Sequence, residues 1–225
     1  MILRGCGTAL VTPFRDGKVD FEAYGKMVRR QVEAGIDFLV PLGSTAETPC
    51  LEDDEKVELL RIARELCPDK PVVVGVGTNS PVATIRNIRL LEPYGPDAWL
   101  VVVPYYNKPP QEGLYQHFKA IAESTDLPII LYNIPPRTGN KLAPETVRDL
   151  IRDVDVIVGA KDSSGDIENL KAYIRLTREL DKDVAILAGN DGAILTCLKE
   201  GGAGGIAGRA NIWPKTVASI YDKFV

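Results

Sequence analysis

Val156-Ile157-Val158-Gly159-Ala160-Lys161-Asp162-Ser163-Ser164-Gly165 is an apolar run that meets a single lysine and then a Gly/Ser-rich turn. A run this short, bounded by small and turn-forming residues, predicts a strand buried on both faces, over 154–160, as in parallel sheets. Lys161 then stands at the strand's C-terminal end. Burying an ammonium without a partner is costly, which favours the neutral amine, and a neutral amine attacks carbonyl carbon. A strand-end lysine more commonly snorkels to water, so this stretch alone leaves both readings open.

On either side of it the chain repeats one unit. Short apolar runs closed by Gly, Pro, Ser, Thr or Asn predict strands over 7–11, 36–42, 71–76, 97–103, 127–132, 184–188 and 204–207. Segments of helical period follow each one: 21–34, 53–66, 81–91, 111–124, 143–151, 166–180, 192–200 and 213–225. Asp20 and Ser80-Pro81 are helix-start signals, and Gly35 is a stop signal. Eight strand-then-helix units without a linker predict a closed (β/α)8 TIM barrel. It forms a single α/β domain over 1–225 and ends in the eighth barrel helix. A doubly wound open sheet is the alternative, but the Gly-x-Gly at Gly75 to Gly77 lacks the rest of a dinucleotide fingerprint.

Composition narrows the function. A net charge of -4 gives no basic footprint for nucleic acid and no polybasic membrane patch. No apolar run approaches the ~20 residues of a membrane span, and no leader segment is expected at the start. Cys6, Cys50, Cys67 and Cys197 form no CxxC pair and read as free thiols of a reducing, cytoplasmic compartment. His117 is the only histidine, so no metal site rich in His or Cys is expected.

In a barrel of this kind the chemistry sits at the C-terminal ends of the strands. The polar residues expected there include Thr8, Ser44, Thr45, Thr78, Asn79, Tyr105, Tyr106, Asn107, Tyr132, Arg137, Lys161, Asn190 and Asp191. This set has one lysine, several hydroxyls and one arginine, with no carboxylate pair and no metal-ligand cluster. It suits imine chemistry on an anionic carbonyl compound: lysine forms the imine, hydroxyls move protons, and arginine or backbone N–H groups hold carboxylates.

Four motifs carry a resemblance. Gly43-Ser44-Thr45-Ala46-Glu47, Pro104-Tyr105-Tyr106-Asn107, Tyr132-Asn133-Ile134-Pro135-x-Arg137-Thr138-Gly139 and Gly159-Ala160-Lys161-Asp162 resemble the dihydrodipicolinate synthase / N-acetylneuraminate lyase family. The opening Gly7-Thr8-Ala9-Leu10-Val11-Thr12-Pro13-Phe14 matches as well, and the similarity is collinear along the whole chain. Within the family, the segment holding Arg137 resembles the dihydrodipicolinate synthase branch.

The resemblance implies a lyase that condenses pyruvate with L-aspartate-4-semialdehyde through an imine on Lys161, toward diaminopimelate and lysine, with no external cofactor and no metal. It implies proton relay by Tyr132, a hydroxyl chain through Thr45 to Tyr106, and pyruvate carboxylate binding by the backbone of Ser44 and Thr45. Arg137 would hold the acceptor carboxylate, and Ile206 would present a backbone carbonyl. It also implies a homodimer or homotetramer in which Tyr106 enters the neighbouring site. Residue by residue, the alternatives are a satisfied buried phenol for Tyr132, a turn residue for Thr45, a surface arginine for Arg137 and plain strand core for Ile206.

Two departures stand out. Ala46 occupies a position where the family usually has glycine, and a positive φ there would strain the loop. Family members continue into a C-terminal helical segment beyond the eighth helix. A related pyruvate-dependent aldolase or lyase of sugar acids, or a catalytically silent ligand-binding barrel, are the competing readings.

Overall fold

The buried runs form eight parallel strands in the computed structural model, which describes residues 3–225. They are β1 (Gly5–Ala9), β2 (Phe38–Val40), β3 (Val73–Gly75), β4 (Ala98–Val102), β5 (Ile129–Asn133), β6 (Ile157–Asp162), β7 (Ala185–Ala188) and β8 (Gly204–Ala207). Hydrogen bonding runs in the order β2-β1-β8-β7-β6-β5-β4-β3. A bridge between Leu39 and Val72, with Gly75 N–H donating to Pro41 O at 3.0 Å, brings β3 back against β2 and closes the ring. The helices are α1 (Phe21–Glu33), α2 (Asp53–Leu66), α3 (Pro81–Leu91), α4 (Gln111–Ala122), α5 (Pro144–Asp153), α6 (Ile167–Arg178), α7 (Ile194–Lys199) and α8 (Pro214–Asp222). The fold is the TIM barrel expected from the alternating pattern.

Local chemistry explains where the helices begin. Asp20 accepts from Ala23 N–H at 2.9 Å and caps α1, and Ser80 caps α3 with Pro81 in its first turn. Glu52 and Glu55 form a capping box at the start of α2. Gly35, at φ 86°, turns the chain out of α1.

Apolar side chains pack in two layers. Val28, Leu59, Ile88, Trp99, Phe118 and Leu150 belong to the layer between strands and helices. Phe38, Val40, Val73, Leu100 and Leu187 fill the barrel interior, and Tyr132 and Ile206 belong to that inner cluster. Each fully buried aliphatic or Phe side chain contributes about 1.5–3 kcal/mol relative to exposure. The barrel therefore has a packed core as its floor rather than a channel.

Several boundaries differ from the sequence reading. β6 runs two residues further, through Lys161 and Asp162, because Asp162 continues to pair with Asn133 of β5. A small hairpin joins Phe14–Arg15 to Lys18–Val19 around Asp16 and Gly17, at φ 51° and 75°. The expected helix over 192–200 divides into a tight turn at Asp191–Ala193 and α7. Pro135–Thr138, unassigned in the sequence, is a single helical turn. Ala46 is not strained: it lies in the tight turn Ser44–Ala46, and the positive φ values fall on Leu42 (58°) and Glu47 (55°). Cys6, Cys67 and Cys197 are buried free thiols and Cys50 is exposed. Burial pushes Cys6 up to about 12 and Cys197 up to about 11, which leaves both unreactive. Among the described residues no helix is long and apolar enough to cross a membrane.

His117 on α4 is buried against Phe118, ring edge to face at 5.3 Å, and its Nε2 has no hydrogen-bond partner in the described structure. Burial lowers its pKa from 6.5 to about 4. Between those values the unfolded chain binds a proton that the native state refuses. Its contribution to stability is therefore complete above about pH 6.5 and is lost as pH falls toward about 4. Thermal unfolding across this window should show an acid-side loss that is smaller in His117→Phe. An undiminished pH slope in that variant would assign the loss to other groups.

Candidate active site

The C-terminal end of the barrel opens into a cleft of about 480 Å3. Ser44, Thr45, Tyr132, Arg137, Lys161 and Ile206 all line it, so the structure brings these sequence candidates together. Tyr106 does not line this cleft; it is 90% exposed on the loop after β4, with φ 72°. Thr8 faces the helix layer instead, where its hydroxyl donates to Gln31 Oε1 at 2.7 Å. Thr78 is engaged locally with Ser80 and Thr84.

Strand register sets the centre of the cleft. In the parallel pair β5–β6, Tyr132 pairs with Lys161 and Asn133 with Asp162. Parallel neighbours in register point to the same side of a sheet. Tyr132 and Lys161 thus face inward together, each 5% exposed, with Lys161 Nζ 4.0 Å from the centroid of the Tyr132 ring. Asn133 and Asp162 form the other pair: Asn133 Nδ2 donates to Asp162 Oδ1 at 2.7 Å, and Ser164 Oγ donates to Asp162 Oδ2 at 2.7 Å. Asn133 Oδ1 accepts from Leu142 N–H at 3.0 Å, which anchors the following segment. The only carboxylate adjacent to Lys161 in sequence is thereby committed to these partners. Among the described residues neither Lys161 nor Arg137 takes part in an ion pair.

The loop after β2 supplies backbone donors. Its tight turn begins with Ala46 N–H donating to Gly43 O at 3.0 Å, so the Ser44 and Thr45 amides precede the first internal bond of the turn. Thr12 Oγ1 donates to Ala46 O at 2.7 Å and Thr48 Oγ1 to Gly43 O at 3.0 Å, which pin the loop from both sides. Arg137 projects from the single turn Pro135–Thr138 and is exposed. It also lines a second, more apolar pocket of about 220 Å3 beside the cleft, facing Leu42, Pro49 and Tyr105.

Ser163, Ser164, Gly189, Asn190 and Asp191 complete the opposite wall. The sequence marked Asn190 and Asp191 as strand-end residues, and Ser163 and Gly189 as turn residues without a role. Gly189 has one: a Cβ there would stand 1.9 Å from Ser163 Oγ and 2.9 Å from Lys161 Cε. The stem of the lysine occupies the space left by the missing side chain.

A buried strand-end amine against a phenol ring, with backbone amides and a guanidinium outside any ion pair around it, has the chemistry that imine formation with an anionic carbonyl compound requires. The model of the dihydrodipicolinate synthetase family matches residues 2–225. The chain belongs to the dihydrodipicolinate synthetase family. Among curated relatives, 4-hydroxy-tetrahydrodipicolinate synthase of Thermotoga neapolitana is 43% identical over 224 residues, covering 99% of this chain and 76% of that protein. The crystal structure of dihydrodipicolinate synthase from Thermotoga maritima superposes with a TM-score of 0.97 at 40% identity, over 100% of this chain and 76% of that one. A structure described as the first monomeric dihydrodipicolinate synthase variant gives 0.96 at 41% identity, over 99% and 74%. The chain thus spans about three-quarters of the length of these family members.

Gly189→Ala tests the space around the amine. Displacing a reacting atom by about 1 Å costs on the order of 100-fold. Reductive alkylation of Lys161 by a small ketone and borohydride should slow by roughly that factor in the variant. Unchanged labelling would show that the Lys161 stem does not depend on this gap.

Proposed function

We propose that this chain is a Schiff-base-forming lyase, a 4-hydroxy-tetrahydrodipicolinate synthase, which condenses pyruvate with L-aspartate-4-semialdehyde. The observation that carries the reading is the pairing of Lys161 with Tyr132 at the floor of a cleft whose rim bears Arg137, in a chain of this family. The Lys161 amine adds to the keto carbon of pyruvate, and loss of water from the carbinolamine leaves the imine. The imine nitrogen accepts the electron pair released when the methyl carbon loses a proton, so no external cofactor is required. The enamine attacks the aldehyde carbon of the semialdehyde. The acceptor's own amine then closes the ring on the imine carbon, displaces Lys161 and regenerates the free amine. The product serves diaminopimelate and lysine synthesis.

The family resemblance suggests the other roles, and their positions in the cleft support them. Tyr132 has its ring against Lys161 and serves as the proton carrier for carbinolamine and imine steps. The Ser44 and Thr45 amides hold the pyruvate carboxylate, and Ile206, which lines the same cleft, offers its backbone carbonyl. Arg137 pairs with the acceptor carboxylate. Thr45 extends the hydroxyl path from Tyr132 toward Tyr106 of a second copy of the chain. An exposed aromatic held at φ 72°, beside an apolar pocket that adjoins the cleft, supports assembly as a homodimer or a homotetramer built from it.

Asn190 and Asp191 in the same cleft favour one second reading, a pyruvate-dependent aldolase acting on hydroxylated sugar acids. Assays with pyruvate and either aspartate semialdehyde or sugar-derived aldehydes separate the two. Turnover of the semialdehyde is expected, and turnover confined to the sugars would reverse the assignment. Arg137→Ala should raise KM for the semialdehyde roughly 30-fold or more, since losing one partner of a charge pair costs about 2–5 kcal/mol. KM for pyruvate should change far less. Equal effects on both would remove Arg137 from the acceptor side.

A further inference from the structure

Asn140 lies outside the cleft lining and is buried, 7% exposed. Its Nδ2 donates to two backbone carbonyls of one loop, Pro104 O at 2.5 Å and Asn107 O at 2.7 Å. Those two carbonyls flank Tyr105 and Tyr106. An NH2 group has two protons, and both are used here, so the amide orientation follows from its acceptors. The same residue is tied to the turn that carries Arg137. Asn140 N–H donates to Thr138 Oγ1 at 3.2 Å, and the Thr138 hydroxyl reaches Ile134 O at 3.1 Å and Asn140 O at 3.0 Å. The bridge extends to a third loop, where Asn107 Nδ2 donates to Asn79 O at 3.0 Å.

The bridged loop is one that needs support. Tyr106 sits at φ 72°, a backbone conformation that a tyrosine holds only when its surroundings enforce it. The loop has a backbone bond of its own, from Asn107 N–H to Tyr105 O at 2.8 Å, but the Pro104 and Asn107 carbonyls point to Asn140. Tyr105 and Arg137, one on each side of this bridge, line the same pocket beside the cleft.

We propose that Asn140 is a positioning residue for the acceptor half of the site, holding the Tyr105–Tyr106 loop and the Arg137 turn at one fixed spacing. The catalytic part of this inference rests on the function proposed above. The mechanical part, a link between two loops, stands on the hydrogen bonds alone. Lys161 lies on β6, and its pairing with Tyr132 and its space beside Gly189 do not pass through Asn140.

The test uses the full chain and two variants. Asn140→Asp is nearly isosteric and sets a carboxylate against two carbonyl oxygens. Asn140→Ala removes the donors without repulsion and is the milder change. Hydrogen–deuterium exchange should accelerate about 10-fold in both 104–108 and 134–140, as expected when local buried hydrogen bonds are lost, while the barrel strands stay protected. In the condensation assay KM for the semialdehyde should rise about 10-fold, with reductive trapping of pyruvate on Lys161 within about 2-fold of wild type. Faster exchange in only one segment, or in neither, would overturn the link. Coupled exchange with equal losses in the pyruvate and semialdehyde steps would overturn the positioning role. Absence of condensation in the wild-type chain would count against the proposed function, while exchange would still decide the link.

Discussion

Between β5 and β6 the hydrogen-bonded pairing slips by one residue: Ile129 pairs with Ile157, but Ile130 pairs with Gly159. The residue left over is Val158. Without that slip, Ala160 would stand beside Tyr132, and Lys161 would pair with Asn133 on the face that looks toward the helices. A bulge of this sort re-aims every side chain that follows it, which is why bulges recur beside active sites. Here it turns Lys161 inward and Asp162 outward. The Asn133–Asp162 hydrogen bond then holds the shifted register from the outside, where it costs the cleft nothing.

The shifted register also needs space. A Cβ on Gly159 would stand 2.2 Å from Ala185 O, and one on Gly189 would strike Ser163 and the Lys161 stem. Two glycines therefore bring β7 close enough to form the wall behind the amine. The barrel interior below Lys161 and Tyr132 is filled by Val40, Val73, Leu100 and Leu187, so the amine and the phenol rest on a packed apolar layer. Loops at the rim are fixed by single side chains reaching across them. Thr12 and Thr48 do this for the Ser44–Thr45 turn, and Asn140 does it for the loops holding Tyr106 and Arg137. Strands place the amine and the phenol, while side-chain clasps place the loops at the rim.

Much of this was legible in the sequence, and the reason is punctuation. Each strand is a short apolar run closed by Gly, Pro or a hydroxyl residue, and the caps at Asp20 and Ser80 and the stop at Gly35 read directly as helix boundaries. The slip at Val158 was not legible. In a strand buried on both faces all residues are apolar, so no alternation distinguishes one register from the next. Asp16-Gly17 carried a visible hairpin signal, but strands of two residues are too short to show a pattern. Gly189 was readable as a turn residue and not as room for a lysine 28 positions earlier, since only the β6–β7 pairing brings them together. Asn140 offered no signal either, because its partners lie 33 and 36 residues away on another loop.

The proposed chemistry depends on Lys161, buried at the end of β6, being open to a small keto acid. The full chain, incubated with pyruvate and borohydride, can be read by intact mass and then by peptide mapping. A single pyruvate-derived addition per chain is expected, located on Lys161 and absent from Lys161→Ala. An adduct on any other lysine, or none on the wild-type chain, would contradict it.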